Sequence, residues 1–75
     1  MDFTYVYKGV TYSASAEWRT ANLTNVFRIT NATQIFDIFP KTGGIKIVWK
    51  TYTGEELPAE FVQAVGEGLE TAGIY

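Results

Sequence analysis

Residues 2–15 read DFTYVYKGVTYSAS, and this stretch decides the fold because it can pair with itself as a β-hairpin. Gly9 can adopt the positive φ that a two-residue hairpin turn requires, and it lies with Lys8 at the centre of the stretch. One predicted face carries the pairs Tyr7–Val10, Tyr5–Tyr12 and Phe3–Ala14, and the other carries Val6–Thr11, Thr4–Ser13 and Asp2–Ser15. A slip by one residue would exchange the two faces, so the pattern predicts this register, with Tyr5 opposite Tyr12 on the buried side.

Three more strands are predicted from alternating apolar and polar residues, over residues 26–30, 34–39 and 45–52. Residues 19–25 are polar and rich in turn-forming types, which predicts a loop. Residues 40–44, PKTGG, predict a break between the last two strands.

The turn between the third and fourth strands is predicted at Asn31-Ala32, since Asn tolerates the left-handed backbone region. Two N-glycosylation sequons occur, at residues 22–24 and 31–33, and we interpret both as turn chemistry. A tight turn at residues 31–32 predicts Phe27 opposite Phe36 and Arg28 opposite Ile35.

The last part of the chain predicts one amphipathic helix, entered through a turn at residues 53–54 and with Pro58 at its first position. Gly66 and Gly68 lie inside this helix, where we expect them to allow close packing against bulky aromatic side chains. Gly73 is placed for the left-handed position that ends many helices, with Ile74 packing back toward the last turn. The predicted apolar stripe consists of Phe61, Val62, Val65, Leu69 and Ala72.

This element order predicts a single α+β domain over residues 1–75, an antiparallel β-meander of four to five strands with one C-terminal helix on its inner face. Five strands make a flat sheet about 24 Å wide, whereas one helix is only about 10–12 Å across. We therefore expect either a sheet that coils around the helix or a second copy that completes the core. The predicted inner face carries Phe3, Tyr5, Tyr7, Tyr12, Trp18, Phe27, Ile29, Phe36, Ile38, Ile45, Ile47 and Trp49.

The composition excludes several classes of site. The 75 residues include no cysteine and no histidine, which removes disulfides, thiolate nucleophiles and the commonest general base and metal ligand. No basic segment followed by an apolar run opens the chain, and no apolar stretch is long enough to cross a bilayer. We therefore expect a cytoplasmic protein that does not contact a membrane.

No motif of an enzyme stands out in the sequence. Ser13 and Ser15 have no candidate base, and the adjacent Glu55 and Glu56 suit the positive end of a helix dipole better than acid–base catalysis. Residues 43–44 precede a strand, so they lack the helix N-terminus of a phosphate loop. We predict that the protein is not an enzyme, with no catalytic, cofactor-binding or metal-binding residues and no small-molecule ligand.

The outer face of the predicted sheet carries apolar residues where polar ones are usual. The predicted meander sets Ile35 beside Val48 and Asp37 beside Lys46. Ordinary scatter of surface apolar residues is one interpretation, and a surface for a protein partner or a second copy in a homodimer is the other. The candidate partner-binding residues are Val26, Arg28, Ile35, Lys46, Val48 and Lys50.

The main hypothesis is thus a non-enzymatic interaction module that acts, or self-associates, through a sheet face or an edge strand. The alternative is a domain that binds single-stranded nucleic acid with its outer sheet face. In element order alone, the sheet followed by a helix resembles PUR-type domains, and that resemblance implies basic and aromatic residues on a sheet face. The net charge of −2 disfavours nucleic acid as a partner.

Overall fold

A computed structural model describes residues 1–21, 24–42, 44–53 and 56–75. One antiparallel sheet with strand order β1-β2-β3-β4-β5 is followed by one helix, which confirms the predicted α+β meander. Parts of the predicted sequon at residues 22–24, of the break at 40–44 and of the turn at 53–54 lie outside the described residues. The elements are β1 (Asp2–Tyr7), β2 (Val10–Ala21), β3 (Thr24–Thr30), β4 (Ile35–Lys41), β5 (Val48–Thr53) and α1 (Ala59–Thr71).

The β1–β2 hairpin has the predicted register, including Tyr5 opposite Tyr12. Lys8 and Gly9 both have positive φ, 52° and 77°. Positive φ at both central residues defines the type I′ turn, whose twist matches that of the flanking strands. The predicted hairpin is therefore confirmed.

The predicted pairing of β3 with β4 is wrong by two residues. Phe27 lies opposite Ile38 and Arg28 lies opposite Asp37. The turn spans four residues, because Asn31 Oδ1 accepts hydrogen bonds from the amides of Thr33 (2.9 Å) and Gln34 (2.8 Å). A shift by two residues keeps every side chain on its predicted face, so the core forms as expected.

Three predicted boundaries are also wrong. The predicted loop at residues 19–25 is largely strand, since β2 continues to Ala21 and β3 begins at Thr24. The predicted strand at residues 45–52 begins only at Val48, because β4 ends opposite it at Lys41. The predicted break also fails at Pro40, which lies inside β4.

The sheet coils around the helix, which is the first of the two expected ways to cover the inner face. α1 packs against both edge strands, β1 and β5. One helix could not reach both edges of a flat five-stranded sheet, so the sheet must curve around α1. Three predicted core residues, Tyr12, Trp18 and Ile45, are instead exposed. The buried core consists of Phe3, Tyr5, Ala16, Phe27, Ile29, Phe36, Ile38, Trp49, Val62, Val65 and Leu69.

Close approach of α1 to the sheet depends on its two internal glycines. A methyl group at Gly66 would overlap the indole of Trp49, and one at Gly68 would lie 2.6 Å from the carbonyl oxygen of Thr4. These positions confirm that the glycines allow contact with aromatic residues and with the strand backbone. Pro58 precedes the helix as its N-cap rather than occupying its first position.

The C-terminal end of α1 forms the predicted Schellman motif. Gly73 has φ of 76° and its amide donates to the carbonyl of Glu70 at 3.1 Å, while the amide of Ile74 donates to the carbonyl of Leu69 at 3.0 Å. Ala72, predicted on the apolar stripe, is exposed. Within the described residues, no helix has the length and apolar character needed to cross a bilayer.

Candidate interaction site

The predicted outer-face residues do not form one continuous strip. Ile35 lies opposite Thr30 and Val48 lies opposite Lys41, so Ile35 and Val48 are not cross-strand neighbours. Lys46 precedes β5, and Lys50 lies opposite Phe39. The predicted neighbours Ile35–Val48 and Asp37–Lys46 are therefore wrong, because the strand begins three residues later than expected.

Val26 is buried on this outer face, with only 2% of its surface exposed. Val26 precedes Phe27 in β3. Extending the β3–β4 register by one pair beyond Phe27–Ile38 places Val26 opposite Phe39. Phe39 is half-buried and meets the ring of Tyr52 edge-on at 6.0 Å. The apolar residues of this face thus pack partly against one another within one chain.

Arg28 forms an ion pair across the strands with Asp37. Its Nε donates to Oδ1 at 3.0 Å and its Nη2 donates to Oδ2 at 3.3 Å, a fork geometry that holds both side chains. The hydrogen bond with Asp37 and the carboxylate's charge raise the pKa of Arg28. This cation is thus engaged within the chain rather than presented to a phosphate backbone.

A different feature lies at the first half of β2, which is much longer than its neighbours. β1 pairs with β2 as far as Val10, whereas β3 pairs with β2 only over residues 15–21, because β3 ends at Thr30 opposite Ser15. Among the described residues, no strand therefore pairs with the other side of residues 10–14. We call the opening between residues 10–14 and the turn at residues 31–34 the notch.

Backbone polar groups point into the notch. Met1 and Ala16 exchange two backbone hydrogen bonds, of 2.7 and 2.9 Å, which makes them a hydrogen-bonded pair of the β1–β2 ladder. Such pairs alternate along antiparallel strands, so Tyr12 also directs its backbone toward β1. The intervening Thr11 and Ser13 direct their amide and carbonyl groups away from β1, toward the notch.

Two cavities flank the notch. The tyrosine cavity, of about 340 Å³, is lined by Tyr5, Tyr7, Tyr12, Ser13, Phe61 and residues 31–34. The serine cavity, a wide-open depression of about 540 Å³, is lined by residues 2–4, residues 13–15 and residues 30–32. Ser13, Asn31 and Ala32 line both, so the two cavities meet at the unpaired stretch of β2.

The wall of the tyrosine cavity is held by contacts between its rings. Tyr12 stacks on Tyr5 with centroids 5.5 Å apart, and Phe61 meets Tyr5 and Tyr7 edge-on at 5.9 and 5.2 Å. Tyr5 is 3% exposed whereas Tyr12 is 42% exposed. Tyr12 therefore has one ring face fixed by packing and retains a large accessible surface. A smaller cavity of about 170 Å³, lined by Tyr7, Gln34, Leu57, Pro58 and Phe61, adjoins it along the start of α1.

The charge around the notch is mainly acidic. Asp2 is the one charged residue among the described residues that line the two cavities. Glu60 accepts a hydrogen bond of 3.4 Å from the hydroxyl of Tyr7 at the rim. Two positive charges lie near these groups: Lys8 Nζ is 5.4 Å from the Tyr7 ring centroid at the hairpin turn, and the N-terminal ammonium of Met1, next to Asp2, donates to the carbonyl of Ala16 at 2.9 Å.

The comparisons with protein-family models, with curated proteins and with solved structures found no match. Over the described part of the chain, no three metal-ligating side chains come together. Sequence reasoning missed the notch because it placed Tyr12 in the core and residues 19–25 in a loop. The signal that reveals it is a length difference: β2 has 12 residues and β3 has 7.

Proposed function

We propose that this protein is a non-enzymatic interaction module that binds a protein partner at the notch. The observation that carries the proposal is the convergence of two cavities on an unpaired backbone stretch of β2, with Tyr12, which lines the tyrosine cavity, 42% exposed. Exposed apolar surface next to unsatisfied sheet backbone is the usual character of a site that another chain covers.

The lining of the notch supports binding rather than catalysis. It offers aromatic rings, hydroxyl groups, amides and the carboxylate of Asp2. Ser13 is the hydroxyl that both cavities share, and the chain has no histidine to activate it. Such a surface can position and bury a ligand, but it provides no activated nucleophile.

The alternative, binding of single-stranded nucleic acid, is supported by exposed rings on which bases can stack, chiefly Trp18 at 57% exposure. Against it, acidic residues outnumber basic ones by eight to six, and Arg28 is paired with Asp37. A protein partner is therefore the proposal that the surface supports best.

Site-specific photo-crosslinking in the native cell tests the proposal. A benzophenone side chain replaces Tyr12 at the notch or, as the control, Lys50 on the outer face. We expect a discrete protein adduct from position 12 that is absent from position 50, and a dimer of this chain would identify a second copy as the partner. Adducts to nucleic acid would support the alternative, an adduct from position 50 alone would move the interaction to the outer face, and no adduct from either would contradict the proposal.

A further inference from the structure

We propose that the partner enters the notch as an extended peptide that adds a strand to β2, with a large apolar side chain in the tyrosine cavity and a basic residue beside it. This inference rests on the proposed function and specifies its chemistry. It concerns residues 10–14 of β2, the turn at residues 31–34 and the two cavities that meet between them.

The backbone of β2 sets the mode of binding. Thr11 and Ser13 each direct an amide donor and a carbonyl acceptor toward the notch, and an extended chain presents donors and acceptors at the same spacing. β3 stops at Thr30 opposite Ser15, so an incoming peptide occupies the position that β3 leaves vacant beside β2. Main-chain hydrogen bonds of this kind give affinity with little dependence on sequence.

The cavities set the side-chain preference. Successive side chains of a strand point to opposite faces, so alternate peptide residues face the helix side of the sheet. One of them meets the tyrosine cavity, of about 340 Å³, whose walls are Tyr5, Tyr7, Tyr12 and Phe61. Ring faces and edges of this kind favour a large aliphatic or aromatic side chain.

Charge selects the neighbouring residues of the peptide. Asp2 lines the serine cavity and Glu60 lies at the rim of the tyrosine cavity. The chain as a whole carries a net charge of −2. Lysine or arginine next to the apolar residue therefore complements the notch, and added salt weakens that contribution.

A second copy of this chain fits the notch less well than a separate peptide. The edge backbone at the start of β5 is already bonded, because Gln63 Oε1 accepts from the amide of Trp49 at 3.0 Å and Gln63 Nε2 donates to the carbonyl of Ile47 at 2.9 Å. At the other edge, Gly68 lies against the carbonyl of Thr4 in β1. Each described edge strand is thus contacted by α1 at one place, Thr4 in β1 and Trp49 in β5, which obstructs its use as an added strand.

The test begins with peptides selected from a random phage-displayed library against the immobilised full chain. We expect selected peptides to contain one large apolar residue flanked by lysine or arginine. Each backbone amide of a selected peptide is then N-methylated in turn, which removes one hydrogen-bond donor without altering the protein. Strand addition predicts that methylation at every second residue weakens binding about tenfold or more while the intervening positions change it little.

Two protein variants locate the binding. Tyr12→Ser removes the exposed ring from the tyrosine cavity, and we expect it to weaken peptide binding about tenfold or more. Trp18→Ser is the matched control, because Trp18 lies on the same face of the same strand and is 57% exposed, but does not line either cavity. The control is expected to leave the peptide affinity unchanged.

The outcomes separate the two proposals. Binding that depends on Tyr12 but shows no alternation on N-methylation would overturn strand addition and leave the interaction module standing. Binding that is lost equally in both variants, or selected peptides rich in aspartate and glutamate, would overturn the assigned site or its charge preference. If no selected peptide bound while position 12 still gave a crosslinked partner, the peptide mode would be wrong and the proposed function right.

Discussion

Backbone hydrogen-bonding groups of the described sheet residues are bonded by a side chain in one region of the molecule and left unpaired in another. Where α1 meets β5, which we call the seam, the side chain of Gln63 bonds both the amide of Trp49 and the carbonyl of Ile47. At the notch, Thr11 and Ser13 direct equivalent groups toward an opening flanked by two cavities. Unpaired strand backbone can pair with another chain. The fold blocks such pairing at the seam and leaves it possible at the notch.

Packing follows the same division. At the seam, Trp49 is 2% exposed, its Nε1 donates to Glu70 Oε2 at 2.8 Å, and Gly66 leaves room for its indole. At the notch, Tyr12 keeps 42% of its surface accessible. From this difference we expect the seam to contribute more to stability than the notch does, and the proposed function uses the notch for binding.

The largest effect is expected at the centre of the seam. Trp49→Ala should lower the free energy of unfolding by about 3–5 kcal/mol, because it removes a large buried ring and leaves a cavity. Such a loss is a large share of the stability of so small a domain. Urea denaturation measures it, with Trp18→Ala as the exposed control; a melting temperature near that of the wild type would show that Trp49 does not hold the core.

Gly66→Ala should cost about 1–3 kcal/mol, because the added methyl group overlaps the Trp49 indole. In a Trp49→Ala background the same substitution should become neutral or stabilise by up to about 1 kcal/mol, since alanine is the better helix former. A double-mutant cycle measured by urea denaturation gives this coupling. Additive effects would mean that the two residues do not meet.

Gln63→Met keeps the length of the side chain and removes its amide, which leaves the amide of Trp49 and the carbonyl of Ile47 without the partner they have at the seam. We expect a loss of about 1–3 kcal/mol in the free energy of unfolding. The variant should also self-associate more strongly than the wild type, because the β5 edge is opened. Sedimentation checks this, with the isosteric Thr71→Val as a control at an exposed position of α1; a variant as monomeric as the wild type would contradict the proposed role of Gln63.

The smallest effect on stability is expected at the notch. Tyr12→Ser should change the free energy of unfolding by less than about 1 kcal/mol, since much of the ring is accessible in the folded chain. Thermal unfolding measures this on the same sample that is used for peptide binding. A loss as large as that of Trp49→Ala would show that Tyr12 belongs to the core, and the contrast between seam and notch would fail.

Local signals in the sequence were sufficient for the parts of the fold that depend on neighbouring residues. Gly9 and the alternation around it predicted the β1–β2 register, and Gly66 and Gly73 predicted a close helix contact and a helix end. The β3–β4 register was missed because the side chain of Asn31 supports a four-residue turn where two residues were expected.

The notch could not be predicted in the same way. It exists because β3 ends at Thr30 while β2 extends back to Val10, and that difference depends on where two strands stop relative to each other. The polar sequence of residues 19–21 hid the true length of β2. Because the loop was predicted from residue 19, nothing indicated that β3 would pair only with residues 15–21 and leave Tyr12 exposed.

Gly68 of α1 lies against the carbonyl of Thr4 in β1, so the first strand to leave the ribosome packs against an element that is made after all five strands. The β1–β2 hairpin is local and can form as soon as it emerges, but the buried face of Phe3 and Tyr5 waits for α1, which is made after all five strands. During translation the nascent chain therefore displays an apolar hairpin without its cover. Chaperone contact with this protein should be greatest in that interval and should end when α1 leaves the exit tunnel.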